Sequence, residues 1–282
     1  MTTTTLGRAL DEVPLVGPAA LCMGVFDGVH RGHLALIDAT RAAAAQRGAR
    51  SVALLFDPHP DEVIHPGTAI PRLATPNRNL RMLEQAGIDH AVPIRFDTVL
   101  RSLTPEQFLG AMAPAIELRA LVMTPESAFG RGRVGTPDAM RAHGRATGFD
   151  LVLAEEIVLD GGTPISSGRI RDAVRSGRIR EATRLLGHAP TIEATLVPAS
   201  DAAAQGQLRV MVDYSAAMPP PGSYPVEIRA GAADVSATLV LSGDGRAELV
   251  ARVGEARSSG AVVIAIMAEA AETGHGESRC IS

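Results

Sequence analysis

A ten-residue segment near the start of the chain, residues 24–33, constrains the fold more than any other feature. It reads GVFDGVHRGH, follows the apolar residues 19–23 and precedes the apolar residues 34–37. This order predicts a strand, a glycine-rich turn and a helix. Glycines let a backbone approach a ligand closely, and the first turn of a helix leaves N–H groups without acceptors. The segment therefore predicts an anion-binding site at a strand-to-helix junction.

Two histidines, His30 and His33, stand three residues apart in this segment and should lie on one side of the first helical turn. Paired imidazoles beside an anion site suit nucleotidyl transfer at an α-phosphate, because that reaction needs donors in place where negative charge develops. Such a transfer needs positioning and electrostatics but no covalent enzyme intermediate. Two surface histidines on a tight turn, or half of a zinc site, are the alternatives, and no second Cys/His cluster completes a zinc site.

The segment resembles the signature of the H-x-G-H nucleotidyltransferases, and its longer form, G-x-F-D-G-x-H-x-G-H, is similar to that of the bacterial FAD synthetases. Segments similar to further motifs of that family follow in the same order. They are FDPHP at 56–60, PRLAT at 71–75, GIDH at 87–90, FD at 96–97, LTPEQF at 103–108, FGRGRVG at 129–135 and ISSGRIR at 165–171. The resemblance extends over residues 19–188 and implies that family's fold.

The resemblance also implies roles for individual residues. It implies His30, His33 and Arg171 as catalytic residues. The implied ATP and phosphate contacts are Gly24, Phe26, Asp27, Gly32, Arg133, Ser166 and Ser167, and the implied acceptor contacts are Asp57, His59, Glu126 and Phe129. Simpler uses stay open, because paired serines commonly cap helices, prolines stiffen turns and arginines occupy surfaces.

Composition removes several classes of enzyme. All 27 basic residues are arginine, so the chain has no lysine for a Walker A loop or for a pyridoxal Schiff base. A net charge of −4 argues against a nucleic-acid partner. The two cysteines, Cys22 and Cys280, do not suggest a disulfide framework, and no apolar leader or transmembrane run is visible. We therefore expect a cytoplasmic enzyme with no membrane partner.

Apolar runs alternate with helical patterns through residue 154, which predicts a parallel sheet covered on both faces. Ligands of such sheets bind at the carboxyl ends of the strands, where His33, Asp57, His59 and Phe129 should meet. The predicted strands are 20–23, 51–56, 91–94, 120–123 and 151–154, and the predicted helices are 34–47, 77–86, 105–116, 136–147 and one from 165 toward 179.

The chain changes character after residue 188, where short β-like runs are separated by Gly and Pro at 192–197, 208–213, 224–228, 235–241 and 247–253. These runs predict a small antiparallel barrel. We therefore predict an α/β, Rossmann-like nucleotidyltransferase domain over residues 1–188 and a small antiparallel β-barrel over residues 189–282. We expect the tail at 272–282 to be disordered.

In bifunctional members of the family the second domain is a riboflavin kinase barrel, and its glycine-rich segment ending in P-T-A-N should follow Leu186 closely. That segment is absent, and residues 198–206 stand in its place. The resemblance therefore implies a degenerate kinase barrel without kinase activity.

The chain also departs from the family on the acceptor side. TPESA at 124–128 replaces a glycine, an acidic or amide residue and a phenylalanine, and Gly168 replaces a threonine. Glu126 can replace the acidic group, but the aromatic residue is lost.

The resemblance implies transfer of AMP from ATP to FMN, giving FAD and pyrophosphate, with Mg²⁺ on the phosphates of ATP. One alternative is a nucleotidyltransferase of specialised metabolism with another phosphate or phosphonate acceptor. The other is a non-catalytic regulator that binds nucleotide or flavin.

Overall fold

The computed structural model describes residues 7–154, 159–198, 207–230, 233–251 and 260–270. These residues form two units. The first contains residues up to 170 together with 185–187 and 214–216, and the second contains 171–184, 188–213 and the residues from 217 onward. The domain boundary at residue 188 stays a prediction.

The first unit is built on a five-stranded parallel sheet, as the sequence predicts. Its spatial order is β3-β2-β1-β4-β5, with β1 in the centre, where Leu21 pairs with Val52 on one side and Leu121 on the other. Near-continuous apolar runs form these strands because both faces of the sheet are buried. The strands are β1 (Gly17–Gly24), β2 (Arg50–Asp57), β3 (His90–Arg95), β4 (Ile116–Met123) and β5 (Asp150–Leu153).

Helices cover the sheet on both faces. One apolar layer joins Ile37 and Leu83 to the strands, and the other joins Phe108 and Met140 to them. Three of the helices begin with a threonine N-cap followed by proline at the first helical position, a sequence pattern that favours helix starts. Over the described residues of both units, the helices are α1 (Arg31–Gln46), α2 (Pro60–Ile64), α3 (Pro76–Gln85), α4 (Thr98–Ser102), α5 (Pro105–Met112), α6 (Pro137–Thr147), α7 (Ser167–Arg175) and α8 (Ile179–Leu186).

Two predicted helix ends are wrong. Helix α5 ends at Met112 and not at residue 116, because Pro114 has no N–H group to continue the helix, and Ile116 begins β4. The helix expected to run from 165 toward 179 ends at Arg175. Gly177 then adopts a left-handed φ of +73°, and α8 begins at Ile179 as a separate helix.

A short hairpin of β6 (Leu159–Asp160) and β7 (Thr163–Pro164) precedes α7. The second unit contains a closed antiparallel barrel in the order β10-β11-β12-β9-β8-β13, which confirms the predicted barrel. Alternate residues of each strand point inward, as at Tyr224, Val226 and Ile228. The strands are β8 (Thr191–Pro198), β9 (Gln207–Met211), β10 (Gly222–Ala230), β11 (Ala233–Leu241), β12 (Ala247–Ala251) and β13 (Gly260–Ile266).

Strand β13 is missing from the predicted set. The replacement segment after residue 198, the end of the run at 247–253, the tail at 272–282 and Cys280 lie wholly or partly outside the described residues. No helix in the described ranges is long and apolar enough to cross a membrane.

Two core leucines test whether the units unfold separately. Leu54 in β2 and Leu239 in β11 are both fully buried, so replacing either with alanine should lower the free energy of unfolding by about 2–5 kcal/mol. Leu54→Ala should shift one calorimetric transition and Leu239→Ala another. Val99→Ala, at an exposed position, is the control. A single transition shifted by both leucine variants would contradict the two-domain prediction.

Candidate functional site

The glycine-rich turn between β1 and α1 has an unusual backbone. Phe26 and Val29 adopt φ values of +51° and +38°, and Gly28 adopts +76°. Positive φ is strained for residues with a side chain and persists only where the surroundings hold it. Phe26 is completely buried, and a Cβ atom at Gly24 would lie 3.5 Å from its ring. Local packing therefore fixes the shape of this turn.

Asp27 ties the turn to the segment that leads into α3. Its buried carboxylate accepts hydrogen bonds from the N–H groups of Leu73 (2.9 Å) and Ala74 (3.2 Å). The N–H group of Gly28 donates to the Asn79 side chain at 2.9 Å. Asp27 is a predicted phosphate contact. In the structure its carboxylate accepts hydrogen bonds from the protein backbone and thereby shapes the loop.

His30 and His33 lie side by side at the start of α1. His30 is the N-cap residue, and its Nδ1 accepts a hydrogen bond from the His33 N–H group at 3.3 Å. The two rings are stacked with centroids 3.6 Å apart, and Phe26 meets the His33 ring edge-on at 5.2 Å. A Cβ atom at Gly32 would come within 3.2 Å of the His30 ring, so glycine gives this imidazole its room.

Burial lowers the pKa of His33 well below its usual value, and the neighbouring His30 lowers it further. His33 is therefore neutral at pH 7. Its Nδ1 atom is shielded from solvent and has no hydrogen-bond partner within the described ranges. Because His30 Nδ1 accepts a hydrogen bond, the proton of a neutral His30 ring is assigned to Nε2.

The start of α7 lies against the same turn. Ser166 caps this helix by accepting a hydrogen bond from the Arg169 N–H group at 3.3 Å. The Ser167 hydroxyl donates to the backbone oxygen of Asp27 at 3.2 Å. A Cβ atom at Gly32 would also lie 3.4 Å from the Ile165 oxygen. The N-termini of α1 and α7 therefore converge, and both carry N–H groups and partial positive charge suited to an anion.

Arg171 is half-buried and follows Ser167 by four residues on α7, so both lie on the same side of that helix. The neighbouring Arg169 instead pairs with Asp160 at 2.7 Å. Ser166 can cap α7 and still contact a phosphate. The cap uses a lone pair of its hydroxyl oxygen and leaves the O–H group able to donate.

An apolar cavity of the first unit gathers four of the six phenylalanines of the chain. It measures about 460 Å³ and is completed by residues that include Pro60, Ile64 and Leu100. Neighbouring rings meet edge-to-face, with centroids 5.5–6.4 Å apart. The four rings belong to Phe56, Phe96, Phe108 and Phe129. We call this space the aromatic cavity.

A smaller cavity of about 260 Å³ adjoins it, and we call it the turn cavity because Gly24 of the glycine-rich turn lines it. Met23, Leu36 and Val122 supply apolar walls. The two cavities share four lining residues, which are Phe56, Ala128, Phe129 and Arg133. A ligand that fills both cavities must pass these shared residues.

The structure separates the predicted acceptor residues. Phe129 lines both cavities, as does Arg133, a predicted phosphate contact, whereas Asp57, His59 and Glu126 line neither. His59 caps α2 by accepting a hydrogen bond from the Asp61 N–H group at 3.1 Å, and Glu126 is exposed. The expectation that His33, Asp57, His59 and Phe129 meet as one group is not supported by these contacts.

A partly buried ion cluster explains where Asp57 lies. Arg72 contacts Asp57 at 3.9 Å and Glu62 at 2.8 Å, and Glu62 also accepts from the Ile70 N–H group at 3.1 Å. This cluster holds α2, which supplies Pro60 and Ile64 to the aromatic cavity. Asp57 therefore supports the cavity indirectly, through the position of α2.

Sequence reasoning missed Phe56, Phe96 and Phe108 as lining residues. A signal was available for two of them, since Phe56 lies near the carboxyl end of β2 and Phe96 directly after β3. Carboxyl ends of neighbouring parallel strands are where such sheets bind ligands. No group of three His, Cys, Asp or Glu side chains that could hold a metal ion occurs in the part of the chain that the structure describes.

Comparisons with known proteins match this architecture. A family model described as FAD synthetase matches residues 15–169. The bifunctional riboflavin kinase/FMN adenylyltransferase of Escherichia coli K12 is 31% identical over 189 residues, which are 67% of this chain but 60% of that protein. The protein of the same description from Pseudomonas fluorescens is 30% identical over 80% of this chain and 75% of its own length. A FAD synthetase of Listeria monocytogenes is 30% identical over 60% of this chain and 69% of its own length.

Among solved structures, a macrolide-efflux protein from Streptococcus pneumoniae superposes with a TM-score of 0.82 at 20% identity. The match covers 93% of this chain and 88% of that one. At this identity the likeness concerns the fold alone.

The Asp27 contacts predict a large stability effect. Asp27→Ala leaves the N–H groups of Leu73 and Ala74 buried without an acceptor and should lower the free energy of unfolding by about 2–4 kcal/mol. Asp27→Asn keeps an acceptor oxygen and should lose clearly less. Denaturant unfolding measures both variants. Equal losses would mean that the negative charge, and not the two hydrogen bonds, holds the turn.

The lowered pKa of His33 predicts a pH dependence of stability. At pH values between the ordinary histidine pKa of about 6.5 and the lower pKa in the folded protein, His33 is protonated in the unfolded chain but not in the folded protein. The stabilisation is therefore present above pH 6.5 and is lost as the pH falls. Unfolding free energies at pH 7.5 and 5.5 should differ less in His33→Gln than in the unmodified protein. Equal differences would contradict the lowered pKa.

Proposed function

Because this chain belongs to the FAD synthetase family, we propose that it transfers the adenylyl group of ATP to the phosphate of FMN, giving FAD and pyrophosphate. One phosphate oxygen of FMN attacks the α-phosphorus of ATP, and the bond from that phosphorus to the bridging oxygen of pyrophosphate breaks. The observation that carries the proposal is the stacked pair of His30 and His33 where the N-termini of α1 and α7 converge.

The two helix N-termini would hold the triphosphate. Their N–H groups and dipoles favour phosphate oxygens, and Ser166 and Ser167 lie at the start of α7. Arg171, one turn further along, would pair with the departing pyrophosphate through its guanidinium. Mg²⁺ would arrive on ATP as part of the substrate, since magnesium is commonly held by phosphates and water rather than by an all-protein cage.

The histidines would stabilise the negative charge that grows on the α-phosphate. A neutral His33 does not repel its stacked neighbour His30 in the free protein. A bound triphosphate favours the protonated form of a nearby imidazole, so the substrate itself would raise the pKa of His33. Hydrogen-bond donors that are already in position at the transferred phosphate stabilise the transition state most in a site shielded from water.

The adjoining cavities suit the two substrates. The turn cavity, which Gly24 lines, would hold the adenosine of ATP, and the aromatic cavity would hold the flat ring of the acceptor. Four phenylalanine rings offer faces and edges to such a ring. Arg133 lines both cavities and would hold the acceptor phosphate between them.

We further propose that the barrel lacks riboflavin kinase activity. The proposal rests on the sequence, in which no segment ending in P-T-A-N follows Leu186. The barrel interior is filled by aliphatic side chains and Tyr224, which belong to its core.

A different phosphate-bearing acceptor is the second candidate, favoured by the segment 124–128. Thr124 and Ser127 hydrogen-bond to each other through their hydroxyls at 2.5 Å, and the Thr124 N–H group donates to Ser127 at 3.2 Å. This closed turn presents Ser127 and Ala128, not an aromatic ring, to the turn cavity.

Chromatography of products tests the proposal. The protein incubated with ATP, Mg²⁺ and FMN should form FAD, and riboflavin in place of FMN should give neither FMN nor FAD. His33→Gln should slow FAD formation by about 10²–10³-fold, because the glutamine amide cannot take up a proton to stabilise the charge on the α-phosphate.

ATP affinity, measured by calorimetry, should change little in His33→Gln. His90→Gln is the matched control, since His90 lies at the amino end of β3, opposite the candidate site. ATP binding without FAD formation by the unmodified protein would favour the other acceptor. Unchanged FAD formation in His33→Gln would remove this histidine from the mechanism.

A further inference from the structure

Three arginine residues line the aromatic cavity, which is otherwise apolar. They are Arg101 at the end of α4 and Arg131 and Arg133 in the loop after β4. No carboxylate is among the lining residues. An aromatic pocket with three positive charges and no negative charge favours an anionic aromatic ligand.

These three arginines differ from many others in the chain. Arg47, Arg72 and Arg169 each bind a carboxylate within 3.0 Å. By contrast, the side chains of Arg101, Arg131 and Arg133 make no hydrogen bond or ion pair within the described ranges, and all three residues are exposed. Their charge is therefore available to a ligand.

The backbone that carries Arg101 and Arg131 is held in place. Asp97 caps α4 by accepting from the Leu100 N–H group at 2.8 Å, and the Arg131 N–H group donates to the Leu103 oxygen at 2.7 Å. A Cβ atom at Gly130 would come within 2.7 Å of the Pro105 ring. The two arginines thus stand on segments that are fastened to each other.

Arg133 has a different place from the other two. It lines both cavities, whereas Arg101 and Arg131 line the aromatic cavity alone. In the proposed reaction the acceptor phosphate lies where the cavities join, so Arg133 serves that phosphate. Arg101 and Arg131 are left facing the ring part of the acceptor.

We propose that Arg101 and Arg131 recognise a second negative charge, carried on the ring of the acceptor, and so make the enzyme prefer an anionic ring over a neutral one. This inference rests on the proposed function, because it assigns the aromatic cavity to the acceptor. Two sources share this chemistry. One is the ring anion of a reduced flavin, and the other is a carboxylate attached to an oxidised flavin ring.

Three acceptors separate these sources: oxidised FMN, FMN reduced with dithionite under anaerobic conditions at pH 8, and an oxidised FMN that carries a carboxylate on its benzenoid ring. Calorimetry gives the Kd of each, and product chromatography gives kcat/KM. The unmodified protein should bind at least one anionic form more tightly than oxidised FMN. The anionic form that binds more tightly than oxidised FMN identifies the source of the charge.

The arginine variants test the assignment. Arg101→Gln and Arg131→Gln should each weaken binding of the anionic form about threefold, and the double variant about tenfold, as for partly exposed ion pairs. Binding of oxidised FMN should change less than twofold. Arg145→Gln, an exposed arginine outside both cavities, should change neither.

Added salt should weaken the preference in the unmodified protein and have less effect in the double variant. FAD formation with no preference for either anionic form, or with equal losses on all three acceptors in the variants, would overturn this inference and leave the proposed function intact. Binding of the anionic flavins that depends on both arginines, without FAD formation from any of them, would overturn the proposed function and keep the charge recognition.

Discussion

The rest of the candidate site depends on one buried carboxylate. The Asp27 carboxylate accepts hydrogen bonds from the backbone N–H groups of residues 73 and 74, and the Asp27 backbone oxygen accepts one from the Ser167 hydroxyl. Asp27 therefore joins the glycine-rich turn, the approach to α3 and the start of α7. A turn with positive φ at Phe26 and Val29 is costly alone, and these bonds, with the burial of Phe26, hold it.

That geometry determines the chemistry of the histidines. With the turn fixed, His30 caps α1 and its ring stacks on His33. Burial lowers the pKa of His33, and the electrostatic effect of His30 lowers it further. The site thus holds two imidazoles close together with little mutual repulsion until an anion arrives. The protein positions the imidazoles and the helix dipoles before the substrate binds. The negative charge of the substrate would then favour protonation of His33.

Local signals in the sequence predict much of this structure, and contacts between distant segments explain most of the rest. The run 24–33 predicts a strand, a turn and a helix because glycine spacing and apolar runs act locally. The cluster that brings Arg72 to Asp57 and Glu62 depends on how segments meet in space. Four phenylalanines far apart in sequence line one cavity, although the chain as a whole is poor in aromatic residues. Strand β13 is an apolar run without alternation, which periodicity does not distinguish from a buried helix segment.

The two parts of the candidate site also differ in how readily the fold tolerates substitutions in them. The turn, the helix starts and the buried Asp27 are fixed by backbone contacts, so substitutions there disturb the fold. In the proposed reaction the acceptor side would use side chains on loops, such as residues 124–128 and 131–133, where the supporting backbone can stay the same. Gly168, at the start of α7, is an exception among the helix starts, because a Cβ atom there would meet only Ser166 Oγ at 3.9 Å, an ordinary contact. Packing therefore does not require glycine at this position. The differences at 124–128 and 168 fall where the fold permits substitution, and in the proposed reaction they would affect the acceptor rather than the adenylyl donor.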